Sequence, residues 1–254
     1  MKNVLGQVSS QPVSRIKTEL AKFKPIKPNY RIIEARAEHG RGVYEVVCLA
    51  NLYNPDNFVS GVFGLAEWRL LLERFAEGQL IAVADIDGQE KVVGVALSLR
   101  TSYDPTEKPL PWEKVIGDLT LANHDSQGCW LYGVEKAVHP DFQGMGIGSA
   151  LYKAQFNLVK RLGLCGIYAG GMLKGYKQHK REMSVREYAD KVMRGELFDP
   201  TVSVQMRKGF RPVGVIENYA WDAQAAHTGM LIVWEAPKSK KVSSAKPSVR
   251  SARL

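Results

Sequence analysis

The sequence predicts a mixed α/β (α+β) layer fold, and three observations point to it. Short apolar runs suited to strands alternate irregularly with segments of 3.6-residue apolar period, in the order β-α-α-β-β-β-α-β-(α)-α-β-β. Two of the runs, Leu80–Asp85 and Val92–Leu99, flank a compact turn holding Asp87-Gly88, a hairpin signal foreign to a purely parallel sheet. A third, Trp130–Val138, passes through a loop of alternating glycines straight into an amphipathic helix. At 254 residues the chain suits one domain with appendages.

In chain order, Tyr30–Arg36 reads as the opening strand and Val43–Leu52 as a helix with Val43, Val46, Val47 and Ala50 on one side. Leu65–Ala76 is a stronger helix, apolar at Leu65, Trp68, Leu71, Leu72 and Phe75 and ended by Gly78. After the hairpin, residues 100–127 are polar and contain proline, an irregular excursion. Ile147–Leu162 turns Ile147, Ala150, Leu151, Ala154, Leu158 and Leu162 inward, and Gly163 closes it. Leu164–Ala169 is strand-like, with Cys165 expected in the core. Residues 170–183 read as a glycine-rich, then basic loop. Ser184 and Glu187 have the spacing of a capping box for a helix ended by Gly195. Asp199-Pro200 starts another, stopped by Gly209. Val213–Ile216 and Met230–Trp234 are the last strands, joined by a loop with Trp221 and His227.

The formal charge of +9 invites a nucleic-acid reading, but its distribution argues against one. Residues 1–28 carry +5 and residues 237–254 carry +6, so the body, 29–236, carries −2. The basic N-terminal extension and the basic tail are rich in Ser and Pro and poor in anything that packs. They read as solvated segments, with docking on an acidic protein partner or anionic surface as the alternative. No zinc-finger, helix-turn-helix or RNP-like signature supports nucleic acid. No window approaches 18 apolar residues without a charge, and the first residues lack the apolar region of a secretory signal. Three scattered cysteines, Cys48, Cys129 and Cys165, suit neither a disulfide scaffold nor a closed metal site. A cytoplasmic setting without a bound metal is the expectation.

The segment that carries chemistry runs from Val138 through His139, Pro140, Asp141, Phe142, Gln143, Gly144, Met145, Gly146, Ile147 and Gly148 to Ser149. First-turn amides of a helix have no intrahelical acceptor, and glycines let a ligand approach the backbone. Together they make an anion cradle suited to a pyrophosphate. A nucleotide P-loop is excluded because no lysine follows Gly148. A dinucleotide fold would place its glycines early in a βαβ unit, not after four or five strands.

The spacing Gln143-x-x-Gly146-x-Gly148, led in by Val138-His139-Pro140, resembles motif A of the GNAT superfamily of N-acetyltransferases. Arg207-Lys208-Gly209-Phe210 resembles the Gly-Phe that ends the family's fourth helix, and the likeness extends over residues 29–236. An insertion near 170–200 departs from a minimal member and looks like the acetyltransferase-like domains associated with carbon–nitrogen hydrolases. The resemblance implies a mostly antiparallel central sheet with helices on both faces and a splay between strands 4 and 5. It implies acetyl-CoA as cofactor, its pyrophosphate on Gln143, Gly144, Met145, Gly146, Ile147, Gly148 and Ser149, and its pantetheine against the backbone of Ala137 and Val138.

The family often supplies a glutamate on the fourth strand as base and a tyrosine four residues before Gly-Phe as acid. Glu135 is the candidate base here, against the plain alternative of a solvated or salt-bridged carboxylate. The acid position holds Gln205, which can orient water or hydrogen-bond sulfur but cannot act as a phenol does. Tyr132, expected on the opposite face from Glu135 by the two-residue strand period, is a second candidate acid or a packing residue. His139 reads as a loop residue. The basic group Lys174, Lys177, His179, Lys180 and Arg181 reads as a phosphate or carrier contact, or as plain surface. The reading reached is an acyl-CoA-dependent N-acyltransferase, transferring acetyl directly to a small-molecule or peptide amine. The alternatives are a thioester decarboxylase or S-acyltransferase acting with a carrier protein, and a non-catalytic CoA-binding regulatory domain. An oligomer is compatible with all three.

Overall fold

The computed structural model describes residues 29–237. The readings placed on the basic ends therefore lie outside the described residues, Pro237 and its neighbours toward the body excepted. Seven strands, β1 Tyr30–Glu34, β2 Leu80–Ile86, β3 Gln89–Thr101, β4 Trp130–Val138, β5 Gly166–Met172, β6 Arg211–Ile216 and β7 Gly229–Glu235, form one sheet. Their order is β1-β2-β3-β4-β5-β7-β6. Every pairing is antiparallel except β4 with β5. The Asp87-Gly88 turn is as read: Ile86 pairs with Gln89, and φ is 55° and 78° at the two turn residues. Positive φ at both is what a tight hairpin matched to strand twist requires.

Helices α1 Gly40–Ala50 and α2 Leu65–Phe75 cover one face. Val43, Val46, Trp68 and Leu71 pack there on Leu97, Leu99 and Tyr132. A short helix, α3 Trp112–Ile116, lies inside the stretch read as irregular, too brief to leave a periodic signal. The other face carries α4 Ile147–Arg161, α5 Val185–Met193 and α6 Val202–Met206. Ile147 and Leu151 of α4 seat on Ala82, Ala84 and Ala96. A Cβ on Gly94 would come within 2.7 Å of the Ile147 side chain, so the small β2–β3 surface sets how closely α4 approaches. Leu151 is fully buried, and truncating it to alanine costs about 3 kcal/mol.

The inserted stretch is built into this second layer. Tyr188, Ala189 and Val192 of α5 are buried with Val202, Ile167 and Ile232. The Ser184–Glu187 capping box forms as the sequence indicates. Asp199 ties the layer together. One carboxylate oxygen accepts from Gly175 N and the Tyr188 hydroxyl, the other from Thr201 N and Val202 N.

Three expectations are corrected. Strand β5 runs on to Met172, so Gly170 and Gly171 are strand, not loop. Their lack of side chains makes room: a Cβ on Gly170 would lie 2.1 Å from the Tyr219 ring, and one on Gly171 would lie 2.3 Å from Gln205 Oε1. Cys165 is exposed just before β5, not in the core. Tyr132 and Glu135 lie on the same face of the sheet. Ser98 pairs with Gly133 and Leu97 with Glu135, so Val134 is an extra residue that shifts the alternation by one.

Candidate functional site

Strands β4 and β5 pair only through Trp130–Tyr132 and Gly166–Tyr168. Beyond that, β4 stays on β3 as far as Val138 and β5 stays on β7 as far as Met172. The two strands part, and a wedge opens between them toward the glycine loop. Backbone groups near the parting point find side-chain partners: Trp112 Nε1 donates to the Val134 carbonyl at 2.9 Å, and Gly170 N donates to the Tyr219 hydroxyl at 3.2 Å.

The loop leaves β4 through His139, whose Nδ1 accepts from Asp141 N at 3.3 Å. Gln143 Nε2 reaches back to the Val138 carbonyl at 3.2 Å, so Gln143 braces the loop. Gly144 (φ 76°) and Gly146 (φ 90°) take left-handed conformations that a side chain would strain. Among the described residues no acceptor takes the N–H groups of Gly144, Met145, Gly146, Ile147, Gly148 or Ser149, and no side chain caps α4. A Cβ on Gly144 would meet nothing within 4 Å, and one on Gly148 only Val138 Cγ2 at 3.8 Å. The result is a run of donors without an acceptor among the described residues at the positive end of a 15-residue helix, with the Tyr30 hydroxyl 3.4 Å from where a Cβ on Gly146 would stand.

The helix-facing wall of the wedge carries Lys136, Tyr152 and Gln205. Lys136 Nζ donates to Gln155 Oε1 at 2.6 Å and lies 3.7 Å from the centre of the Tyr152 ring. The Tyr152 hydroxyl accepts from Gln205 Nε2 at 3.1 Å. Gln205 is nine-tenths buried, and its Oε1 has no partner among the described residues. Burial pushes the Lys136 ammonium down to about 7, against the pull of Glu135. Burial holds the Tyr152 phenol up at about 12.

The opposite wall carries Glu135, Tyr219, Lys174 and Asp222. Burial raises the Glu135 carboxyl, partly offset by the Lys136 amide that it accepts from at 3.0 Å and by the cations of Lys174 and Lys136. Lys174 is paired with Asp222. Burial holds Tyr219 up at about 12.

Glu135 lies on the face of β4 that carries Tyr132, Gln205 lies against Gly171 of β5 and Tyr152 of α4, and the Gln143–Ser149 loop follows the end of β4, with Ala137 and Val138 leading into it. Tyr132 is not at the open part. It is 2% exposed, its hydroxyl is 2.9 Å from that of Tyr219, and burial holds its pKa well above the ordinary phenol value. His179 stacks on Tyr188 and faces Glu182, and Lys174 is committed to Asp222, so the basic group is dispersed. Sequence reasoning passed over Lys136, Tyr152 and Tyr219. A signal existed for the first: the charged pair Glu135-Lys136 interrupts an otherwise apolar second half of β4. Among the described residues no three His, Cys, Asp or Glu side chains gather to hold a metal ion, and no helix is long and apolar enough to cross a membrane.

The family model described as "Acetyltransferase (GNAT) family" matches residues 47–174. The chain is 35% identical over 155 residues to "Probable hydrolase YhcX" of Bacillus subtilis, a match covering 61% of this chain and 29% of that protein. It is 29% identical over 172 residues to "Uncharacterized N-acetyltransferase YkwB" of the same organism, covering 68% of this chain and 74% of that one. Among solved structures, the GphF GNAT-like decarboxylase in complex with isobutyryl-CoA superposes with a TM-score of 0.65 at 16% identity, over 82% of this chain and 100% of that one. The chain therefore spans under a third of the first relative's length.

Proposed function

The chain belongs to the acetyltransferase (GNAT) family, and from that premise we propose that it holds a coenzyme A thioester in the wedge and acts on its acyl group. One observation carries the reading: among the described residues the amides of Gly144 to Ser149 have no acceptor and sit at a helix N-terminus. A pyrophosphate fits that cradle, and the parted edge of β4 at Ala137 and Val138 offers backbone to a pantetheine. The orphaned Gln205 Oε1 offers an acceptor deeper in.

Two fates of the acyl group fit these walls. In transfer to an amine, Glu135 takes the amine's proton. Its raised carboxyl pKa favours that work near neutral pH. In decarboxylation the carbon–sulfur bond stays intact and no thiolate departs, so the family's tyrosine acid is dispensable and Gln205 stands in its place; transfer to a carrier-protein thiol releases a thiolate as amine transfer does. The fold likeness to a GNAT-like decarboxylase supports this second fate, and the likeness to a protein named an N-acetyltransferase supports the first. Calorimetry with coenzyme A tests the shared premise: binding by the wild type that is lost in Gly146→Glu supports the cradle, and equal binding by both overturns it. Mass analysis of products then separates the fates. Acetylated amine from an amine panel marks the first; acetyl-CoA and carbon dioxide from malonyl-CoA mark the second.

A further inference from the structure

Resting on the reading that a coenzyme A thioester lies in the wedge, we propose that Lys136 is the acid that protonates the departing thiolate. The argument starts from cost. Lys136 is half-buried, and a cation partly withdrawn from water gains from a counter-charge or hydrogen bonds in place of the water it loses. Lys136 makes direct contact with neither a carboxylate nor a full set of acceptors: Glu135 acts on it from the neighbouring position without a bond to Nζ, and its described polar partners are the Gln155 amide oxygen and the face of Tyr152. That partner is held in place from behind. Gln155 Nε2 donates to Ser98 Oγ at 2.9 Å, and the Ser98 carbonyl accepts from Gln79 Nε2 at 2.9 Å, all three residues being almost fully buried. The Gln155 amide is thereby fixed with its oxygen toward Nζ, and a buried chain of neutral groups aims the ammonium.

Its position answers a vacancy in the chemistry. Gln205 occupies the place where the family resemblance puts an acid, and an amide cannot donate a proton to sulfur. Lys136 is one aromatic ring away, across Tyr152. Whichever nucleophile takes the acyl group, the carbon–sulfur bond breaks with its electron pair on sulfur. Lys136 Nζ gives that sulfur a proton and becomes a neutral amine. The nucleophile's proton leaves through Glu135 or water, and Nζ is recharged from solvent, so the proton count closes. A lysine near 7 is half charged at neutral pH, the range where a general acid works best. Of the groups that face it, Glu135 on its own strand is the carboxylate that acts on it. Tyr152 of α4 stays neutral, and Gln155 of α4, Ser98 of β3 and Gln205 of α6 carry no charge.

The test needs no acceptor. The purified chain is loaded with coenzyme A, and the thiolate's ultraviolet absorbance is followed against pH. The sulfur and Lys136 titrate as a coupled pair, so in the wild type thiolate develops at least about one pH unit below the free coenzyme, tenfold in the ionisation constant. Lys136→Met returns the transition to the free value, and Lys136→Arg, which keeps the charge, holds it low. Calorimetry run beside it separates the layers. Identical thiol titrations in wild type and Lys136→Met, with both binding coenzyme A, overturn the role of Lys136 alone. No binding by the wild type overturns the cofactor reading and this inference together.

Discussion

The glycine loop and the wedge behind it were built by opposite means. The loop is made of backbone from one continuous stretch, and its donors are amides that every residue owns. The wedge is made of side chains from β4, α4, α6 and the β6–β7 connection, brought together only by folding. A site of the first kind is written in the spacing of a few glycines. A site of the second kind is written in tertiary contacts, and a sequence reading finds it only where one residue looks out of place.

The largest expected effect breaks the loop. Gly146→Glu puts a side chain at φ 90° and an anion among the donors proposed to hold phosphate. Coenzyme A affinity should fall at least about a hundredfold, near 3 kcal/mol, in calorimetry. Thermal stability should fall much less, because left-handed strain at one residue costs about 1–2 kcal/mol. A stability loss that matches the affinity loss would show that the loop had merely unfolded.

Next comes Gly170→Ala, which strikes the wedge. The added methyl meets the Tyr219 ring at 2.1 Å, backed by the buried Tyr132. About 2 kcal/mol of stability should be lost, read in urea denaturation. Coenzyme A binding should weaken only in proportion to the shift of β5. An unperturbed protein would mean that Tyr219 swings freely and does not form that wall.

What was legible follows from the same contrast. The hairpin, the α4 amphipathicity and the capping box at Ser184 rest on local rules, and each stands where it was read. Tyr132 was set on the wrong face because one extra residue, Val134, reverses the alternation, and no local signal marks a bulge. Gly170 and Gly171 looked like loop because glycine signals turns. Here it signals close approach, by Tyr219 and Gln205, whose sequence distance hides the cause. Lys136 is intermediate: a charged pair in an apolar strand was visible and passed over, and Gln155 and Tyr152 became its surroundings only in three dimensions.

A pH experiment sharpens that point with a moderate effect. Lys136 is lowered from 10.5 to about 7 in the folded chain. Between those values the unfolded state binds more protons, so this group makes stability rise with pH across the window. Below about 7 both states are charged, and its penalty is full and constant. The wild type should therefore gain in urea midpoint from about pH 7 upward. Lys136→Met should be more stable at neutral pH and lose that slope. A slope that persists in the variant assigns it to another group.

The smallest effect belongs to Tyr132, and it decides between two roles. Its hydroxyl bonds that of Tyr219, which also accepts from Gly170 N. Tyr132→Phe leaves the ring packed against Tyr168 and removes one buried hydrogen bond. The expected cost is about 1 kcal/mol of stability, measured in denaturant. Tyr219 would keep its bond to β5, so the wedge would hold its shape. A proton donor for chemistry has to reach the open part of the wedge, and a hydroxyl closed in by two other tyrosines does not. Loss of a limb in the pH–rate profile at unchanged stability would reverse this assignment and return Tyr132 to the reaction.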